Sequence, residues 1–311
     1  MKVSDYRYLI IGGTTKSATT SLFNWLKYHP EVCASSIKET RFFLDKEYPV
    51  PSKFRFEDGL EKYNTFFRHC DDLKIRFEAT PDYLYSESTP FKIKDSLPDV
   101  GFIFILREPV SRLISWYRFS KQWNFIPKNT SFEEYIKLNM HDGFKPQHLR
   151  ALEQGKYSLY LKRYLDLFGK ERVFIAFFEE ISKNSFSIMK EICLFSGISQ
   201  NYYLNYDFKN VNPTRNLKHP KFFEFYRKIR FNIGKYTHDK LLIHSVLSFL
   251  RQCFYKIYFH LDTMEAEDIT LSPQTKEFLN EYYREENHSL FELICRPVPW
   301  KLEEVKRDKI D

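Results

Sequence analysis

At 311 residues, 43% hydrophobic and 18% aromatic, the chain carries enough apolar material for a substantial core, and its composition is not that of a disordered protein. Its 48 basic against 41 acidic residues leave a net charge of +7, which favours anionic ligands but is too small an excess to indicate nucleic acid by itself. Five scattered cysteines (Cys33, Cys70, Cys193, Cys253 and Cys295), with no C-x-x-C pair, argue against a disulfide framework or a zinc site and for a reducing, cytoplasmic setting.

The opening M-K-V-S-D-Y-R-Y-L-I-I has too short an apolar run for a signal peptide. Residues 8–11 instead read as a strand that stops at Gly12 and Gly13, where the missing Cβ permits unusual backbone and close approach. K-S-A-T-T-S-L follows at 16–22, and Leu22 and Leu26 begin an amphipathic helix over 20–28. Loop amides and a helix N-terminus then point to one place, a ready anion site whose commonest occupant is phosphate. Lys16 adds a full charge, and Thr19, Thr20 and Ser21 add hydroxyl donors. The plainer alternative is a strand–turn–helix junction in which Thr and Ser are only caps. The nucleotide-triphosphatase pattern G-x-x-x-x-G-K-[ST] is not met, because no glycine precedes Lys16 directly.

Further along come S-I-K-E-T-R-F-F at 36–43, a helical stretch at 59–68, a strand at 74–78 leading into E-A-T-P, and a strand at 101–106. That last strand enters L-R-E-P-V-S-R-L-I-S-W-Y at 106–117, within a helix over 110–123 in which Pro109 suits the first turn. Ser131 and Glu134 make a capping box for a helix at 131–139, and a helix at 156–168 precedes a strand at 172–178. Beyond residue 180 the pattern is helical, at 184–196, 217–230, 239–260 and 272–294. The apolar stretch 241–259 is interrupted by His244, Arg251 and Lys256, so it reads as a buried helix rather than a membrane span. Strand–helix alternation predicts an α/β fold: a P-loop-like central parallel β-sheet flanked by helices, with a mainly helical C-terminal third. No repeat or linker divides it, so residues 1–311 read as one domain.

Four stretches in order (K-S-A-T-T-S-L, S-I-K-E-T-R-F-F, L-R-E-P-V-S-R-L-I-S-W-Y, and the C-terminal L-S-P-Q-T-K-E-F-L through C-R-P-V-P-W) resemble sulfotransferases that use 3′-phosphoadenosine 5′-phosphosulfate (PAPS). The likeness is to the bacterial and heparan-sulfate-type carbohydrate branch, and it runs from about residue 7 to Trp300. It implies that Lys16, Ser17, Ala18, Thr19, Thr20 and Ser21 hold the 5′-phosphosulfate, and that Arg107 and Ser115 hold the 3′-phosphate. Arg suits a planar two-point grip on a phosphate dianion. It also implies that N-V-N-P-T-R-N-L-K-H-P at 210–220 folds over the nucleotide, with Arg215, and less firmly Lys218, adding to the 3′-phosphate contacts; a solvated basic loop is the alternative there. Lys16 would stabilise the departing phosphate. Glu39 falls on the position of the catalytic base, which an acceptor hydroxyl needs, its alternative being an ordinary surface loop residue. Lys38 and Arg41 would face the acceptor, while Phe42 and Phe43 read as core and cleft wall.

The chain departs from the branch in having Arg41 where histidine is usual and Ala79 where E-K-T-P carries lysine, which puts a glycosaminoglycan acceptor in doubt but leaves the donor site untouched. The expected chemistry is in-line sulfuryl transfer from PAPS to a hydroxyl or amine of a carbohydrate or small natural product, without a metal. A P-loop kinase-like phosphotransferase is the runner-up, although the strands end in Glu78, Arg107 and Glu179 rather than in a magnesium-binding aspartate. A nucleotide-binding module without catalysis is the third reading. The aromatic helical third, including Phe222, Phe223, Phe225 and Tyr226, would fill the core or supply a homodimer surface.

Overall fold

A computed structural model describes residues 6–70, 75–141, 145–208, 216–217, 263–264 and 269–300. Five parallel strands form the central sheet in the order β2-β3-β1-β4-β5: β1 (Arg7–Gly13), β2 (Val32–Ala34), β3 (Ile75–Ala79), β4 (Val100–Leu106) and β5 (Val173–Phe177). All seven residues of V-G-F-I-F-I-L in β4 are buried, as a parallel strand covered on both faces requires. The side chains alternate between two cores. Tyr8, Ile10, Phe102 and Phe104 enter one, and Leu9, Ile11, Ile103 and Ile105 enter the other.

Helix α1 (Thr19–Leu26) and α8 (Ser185–Ser196) cover the second face through Leu22, Phe23, Leu26, Ile188, Met189 and Ile192. The first face is covered by α2 (Leu60–Asn64), α3 (Thr89–Ser96), α6 (Tyr157–Phe168) and the end of α9 (Pro273–Ile294). A third apolar cluster, with Leu113, Trp116, Tyr135, Ile136, Leu279 and Tyr283, joins α4 (Pro109–Gln122), α5 (Phe132–Met140) and α9. The short α7 (Phe178–Lys183) follows β5 directly. Both elements that matter most for chemistry leave the C-terminal edge of the sheet: the turn after β1 and the turn after β4. Chain progression reverses around β1, between β3 and β4, and such a switch point opens a crevice at that edge.

Local signals account for several boundaries. Ser131 Oγ accepts the Glu134 N–H at 3.1 Å while Glu134 Oε2 accepts the Ser131 N–H at 2.7 Å, the expected capping box. Ser272 caps α9 by accepting the Thr275 N–H, with Pro273 next in line. The expected strands and helices are found within a residue or two, with four corrections. Strand β1 runs on through Gly13; β2 is three residues long and has no alternation to betray it. The 59–68 helix is α2 followed by a 3-10 turn, Thr65–Phe67; α3 is a helix to which the sequence reading assigned no element. The expected helices at 217–230 and 239–260, with the aromatic cluster at 222–226, lie outside the described residues. Among the described residues, no helix is long and apolar enough to cross a membrane.

The cysteine reading needs correction as well. Cys33 in β2 and Cys70 form a disulfide, with their Cα atoms 5.9 Å apart. They are 37 residues apart in sequence, and only the return of the chain along the sheet edge brings them together. The inference of a reducing compartment from unpaired cysteines therefore lapses.

Candidate active site

The turn between β1 and α1 is strained at residues other than glycine. Lys16 (φ 68°) and Ala18 (φ 62°) are both left-handed, a conformation that costs an L-residue about 1–2 kcal/mol and turns successive amides into an anion-binding concavity. Helix α1 begins at Thr19, and Ala18 before it supplies no side-chain cap, so the alternative of Thr and Ser as mere caps is not what the turn shows. The two glycines serve packing instead. A Cβ on Gly12 would come within 2.7 Å of Phe104 Cε1, and one on Gly13 within 2.9 Å of Leu84 Cβ. Close approach is thus one use of these glycines, and neither of them has a left-handed φ.

Donor accounting sorts the hydroxyls. Thr14 Oγ1 donates to Ile105 O at 3.0 Å, so in its 2.7 Å contact with Ser17 Oγ the serine must be the donor. Ser17 and Ala18 are then left to act through their backbone. Thr19 and Ser21 are buried in the first turn of α1, and Thr20 is half-buried beside them. The Lys16 ammonium lies 4.1 Å from the centre of the Phe119 ring, and no carboxylate of the described residues is within salt-bridge distance of it. Burial, and secondarily the Arg107 charge, lower its pKa from 10.5 to about 8.

Arg107 stands at the end of β4 and donates from Nη1 to Lys16 O at 3.1 Å, so the two predicted anion-binding stretches meet. Its guanidinium also lies 4.4 Å from the Phe178 ring. Its Nε is buried without a hydrogen-bond partner among the described residues. Glu108 caps α4 through the Val110 and Ser111 amides. Ser115, in the second turn of α4, is buried, and its hydroxyl makes no hydrogen bond among the described residues. Arg215 and Lys218 lie outside the described residues.

Glu39 lies in an extension of β2 stitched to the end of β3. The Ala79 N–H donates to Lys38 O at 3.1 Å, and the Arg41 N–H donates to Thr80 Oγ1 at 3.2 Å. Both carboxylate oxygens of Glu39 are held, one by Lys38 Nζ at 2.9 Å and the other by Arg41 Nη2 at 2.7 Å. Burial pushes its pKa up, but the two cations outweigh that and hold it near about 2. Arg41 is itself left-handed (φ 56°) and gives its other arm to Pro51 O at 2.9 Å. Its guanidinium is thus turned onto Glu39. Phe42 and Phe43 are wholly buried, as expected.

Two other conceivable bases are placed elsewhere. Glu78 is fully buried and accepts hydroxyl hydrogen bonds from Thr40 (2.7 Å), Thr80 (2.8 Å), Tyr63 (3.0 Å) and Tyr83 (3.0 Å). It knots the Glu39 segment to β3. His29 precedes β2, at the opposite edge of the sheet, where its Nε2 meets Ser199 O at 2.9 Å.

Sequence reasoning passed over two groups. Asp82, buried in the turn after β3, accepts from Tyr48 OH at 3.0 Å and from the Gln147 amide; burial, then the Glu39 charge, raise its pKa to about 6. Arg112, wholly buried in α4, reaches Thr15 in the turn after β1. A charged residue in an otherwise apolar helix face was the available signal. Among the described residues, Cys33, His69 and Cys70 have potential metal-ligand atoms within 4.8 Å of one another, with both cysteines already in the disulfide.

A family model described as a sulfotransferase domain matches residues 7–290. The chain is 23% identical to the bifunctional heparan sulfate N-deacetylase/N-sulfotransferase 4 of Mus musculus, the match covering 97% of this chain and 32% of that one. It is 25% identical to the membrane-associated sulfotransferase kil1 of Dictyostelium discoideum, over 94% of this chain and 66% of the relative. The chain thus spans about a third of the length of the N-deacetylase/N-sulfotransferases it matches. The crystal structure of a sulfotransferase from Alicyclobacillus acidocaldarius shares the fold, with a TM-score of 0.65 at 20% identity and coverage of 94% of this chain and 97% of that one.

Proposed function

The chain belongs to the sulfotransferase domain family, and on that premise we propose that it moves the sulfuryl group of PAPS to a hydroxyl or amine of a carbohydrate acceptor. The observation that carries this reading is the meeting of the two anion stretches, Arg107 donating to the Lys16 carbonyl. One edge of the sheet thereby offers a left-handed loop with a lysine and, beside it, an arginine with an unpartnered Nε. A ligand with two separated phosphate groups needs two such sites. The likeness to heparan sulfate N-sulfotransferases supports a carbohydrate acceptor and leaves both amine and hydroxyl open.

In this reading Lys16 and the loop amides gather the negative charge that develops on the leaving phosphate. Arg107, with Ser115, grips the distal phosphate and sets the donor's direction. Glu39 takes the acceptor's proton. A carboxylate held near about 2 is a weak base toward a free alcohol. Proton transfer therefore follows formation of the new S–O bond, when the bridging oxygen has become strongly acidic. Lys38 and Arg41 must yield part of their hold on Glu39 as the acceptor enters, which couples acceptor binding to release of the base.

Calorimetry with 3′-phosphoadenosine 5′-phosphate and with ATP tests the donor. Tight binding of the first and indifference to the second is expected, with Arg107→Ala weakening the first roughly ten- to a hundredfold. Preference for ATP, together with turnover abolished by EDTA and rescued by Mg²⁺, would instead establish the kinase reading.

A further inference from the structure

Arg112 has no part in the chemistry just described, yet it is the largest fully buried charged side chain among the described residues. One arm, Nη1, donates to Thr15 Oγ1 at 3.3 Å, and the other donates to Ala151 O. Its Nε is buried with no hydrogen-bond partner. Among the described residues no carboxylate lies within salt-bridge distance of it; its surroundings are tyrosines, with the Tyr157 ring 5.9 Å from the guanidinium. Burying an unpaired charge is costly, and cations so placed are ordinarily matched to an acid. The same Thr15 oxygen accepts a second hydrogen bond, from Trp116 Nε1 at 3.1 Å. Arg112 and Trp116 are four residues apart on one face of α4, and Thr15 immediately precedes the left-handed Lys16.

We propose that Arg112 is a positioning residue for donor binding. Together with Trp116 it pins Thr15, so that the loop holds the shape that receives the 5′-phosphosulfate. Its unneutralised charge is the counterpart of an anion the folded chain does not itself supply. This rests on the reading of the 14–21 loop as the donor's site. Two donors on one hydroxyl oxygen use both of its lone pairs, so the Thr15 side chain has its orientation set from α4 and keeps only its own O–H to donate. The arrangement ties the anion loop after β1 to the helix that carries Ser115, three residues further along α4. Both halves of the donor site then move as one piece.

The test is calorimetry with 3′-phosphoadenosine 5′-phosphate and initial-rate kinetics on wild type, Thr15→Val, Trp116→Phe, Arg112→Lys, Arg112→Met and the double variant Thr15→Val/Arg112→Met. Thr15→Val keeps the shape, so it reports on the contact even if Arg112→Met fails to fold. Thr15→Val is expected to weaken nucleotide binding about tenfold. It should raise the donor KM in step, while kcat and the acceptor KM stay within a few-fold. Arg112→Lys should fall between wild type and Arg112→Met, and the double variant should be no worse than Arg112→Met alone, as coupled partners require. Nucleotide affinity within twofold of wild type in Thr15→Val, or strictly additive losses in the double variant, would overturn the proposal while leaving the donor reading intact. A wild-type chain that ignores the nucleotide would overturn both.

Discussion

Lys16 and Glu39 are opposite cases of how surroundings set a charge. Lys16 loses hydration without gaining an acid, so its pKa falls to about 8; Glu39 gains two cations, so its pKa falls to about 2. The sign of the pH dependence follows. Lys16 is protonated below about 8, and its charge is lost as pH rises through that value. The kcat/KM for the donor should therefore fall on the alkaline side near pH 8, and Lys16→Arg should move that limb upward beyond the measured range. Glu39 stays ionised down to about 2, so it places no limb between pH 4 and pH 8. Glu39→Gln should lower turnover by roughly 10²–10⁴ with nucleotide binding within a few-fold, and the shape of the profile above pH 4 should be unchanged. Near-normal turnover in Glu39→Gln would remove it as the base. An acid limb near 6, if one is measured, points to Asp82 and should vanish in Asp82→Asn. The charged residues themselves were legible because K-S-A-T-T-S-L and K-E-T-R-F-F place them in recognisable runs. Their partners were not: the pairing of Arg41 with Glu39, set by a left-handed backbone, leaves no mark in sequence.

Elements that answer to local chemistry were the legible ones. The capping box at Ser131, Pro109 after a strand, and the apolar run of β4 each carry their instruction within a few residues. Strand β2 and helix α3 do not. V-C-A is a strand only because β3 offers it a parallel edge, and T-P-F-K-I-K-D-S is helical while burying Thr89, Pro90, Ile93 and Ser96 against the layer above the sheet. The junction of β1 with the turn Pro81–Tyr85 is close as well, an added Cβ on Gly13 coming within 2.9 Å of Leu84 Cβ. Gly13→Ala should therefore push that turn, which carries Asp82, away from the sheet. The expected cost is about 1–3 kcal/mol, seen as a fall of several degrees in Tm. An unchanged Tm would mean that Leu84 relaxes freely and that the turn is not held against β1.

At the scale of the molecule, the Cys33–Cys70 disulfide closes a loop of 37 residues that contains the whole Glu39 segment. Closing a loop of that length restricts the unfolded chain by about 3–4 kcal/mol. Dithiothreitol should lower the Tm of wild type by several degrees and leave that of Cys33→Ser/Cys70→Ser, already lower, unmoved; equal melting with and without reductant would show that the pair contributes nothing to stability. The sequence alone determined that this is an α/β chain with a parallel sheet and a turn bearing a lysine and a row of hydroxyls after its first strand, since hydrophobic period, glycine pairs and charge runs act over a few residues and are written in consecutive letters. Tertiary structure alone decided which groups meet: Cys33 with Cys70, Arg107 with the Lys16 carbonyl, Arg112 with Thr15. The last two pairs are separated by 91 and 97 residues, and no local propensity spans such distances. They come together because parallel strands send the ends of β1 and β4 to the same edge of one sheet, where burial strips their side chains of water and leaves them only one another, or a ligand, as partners.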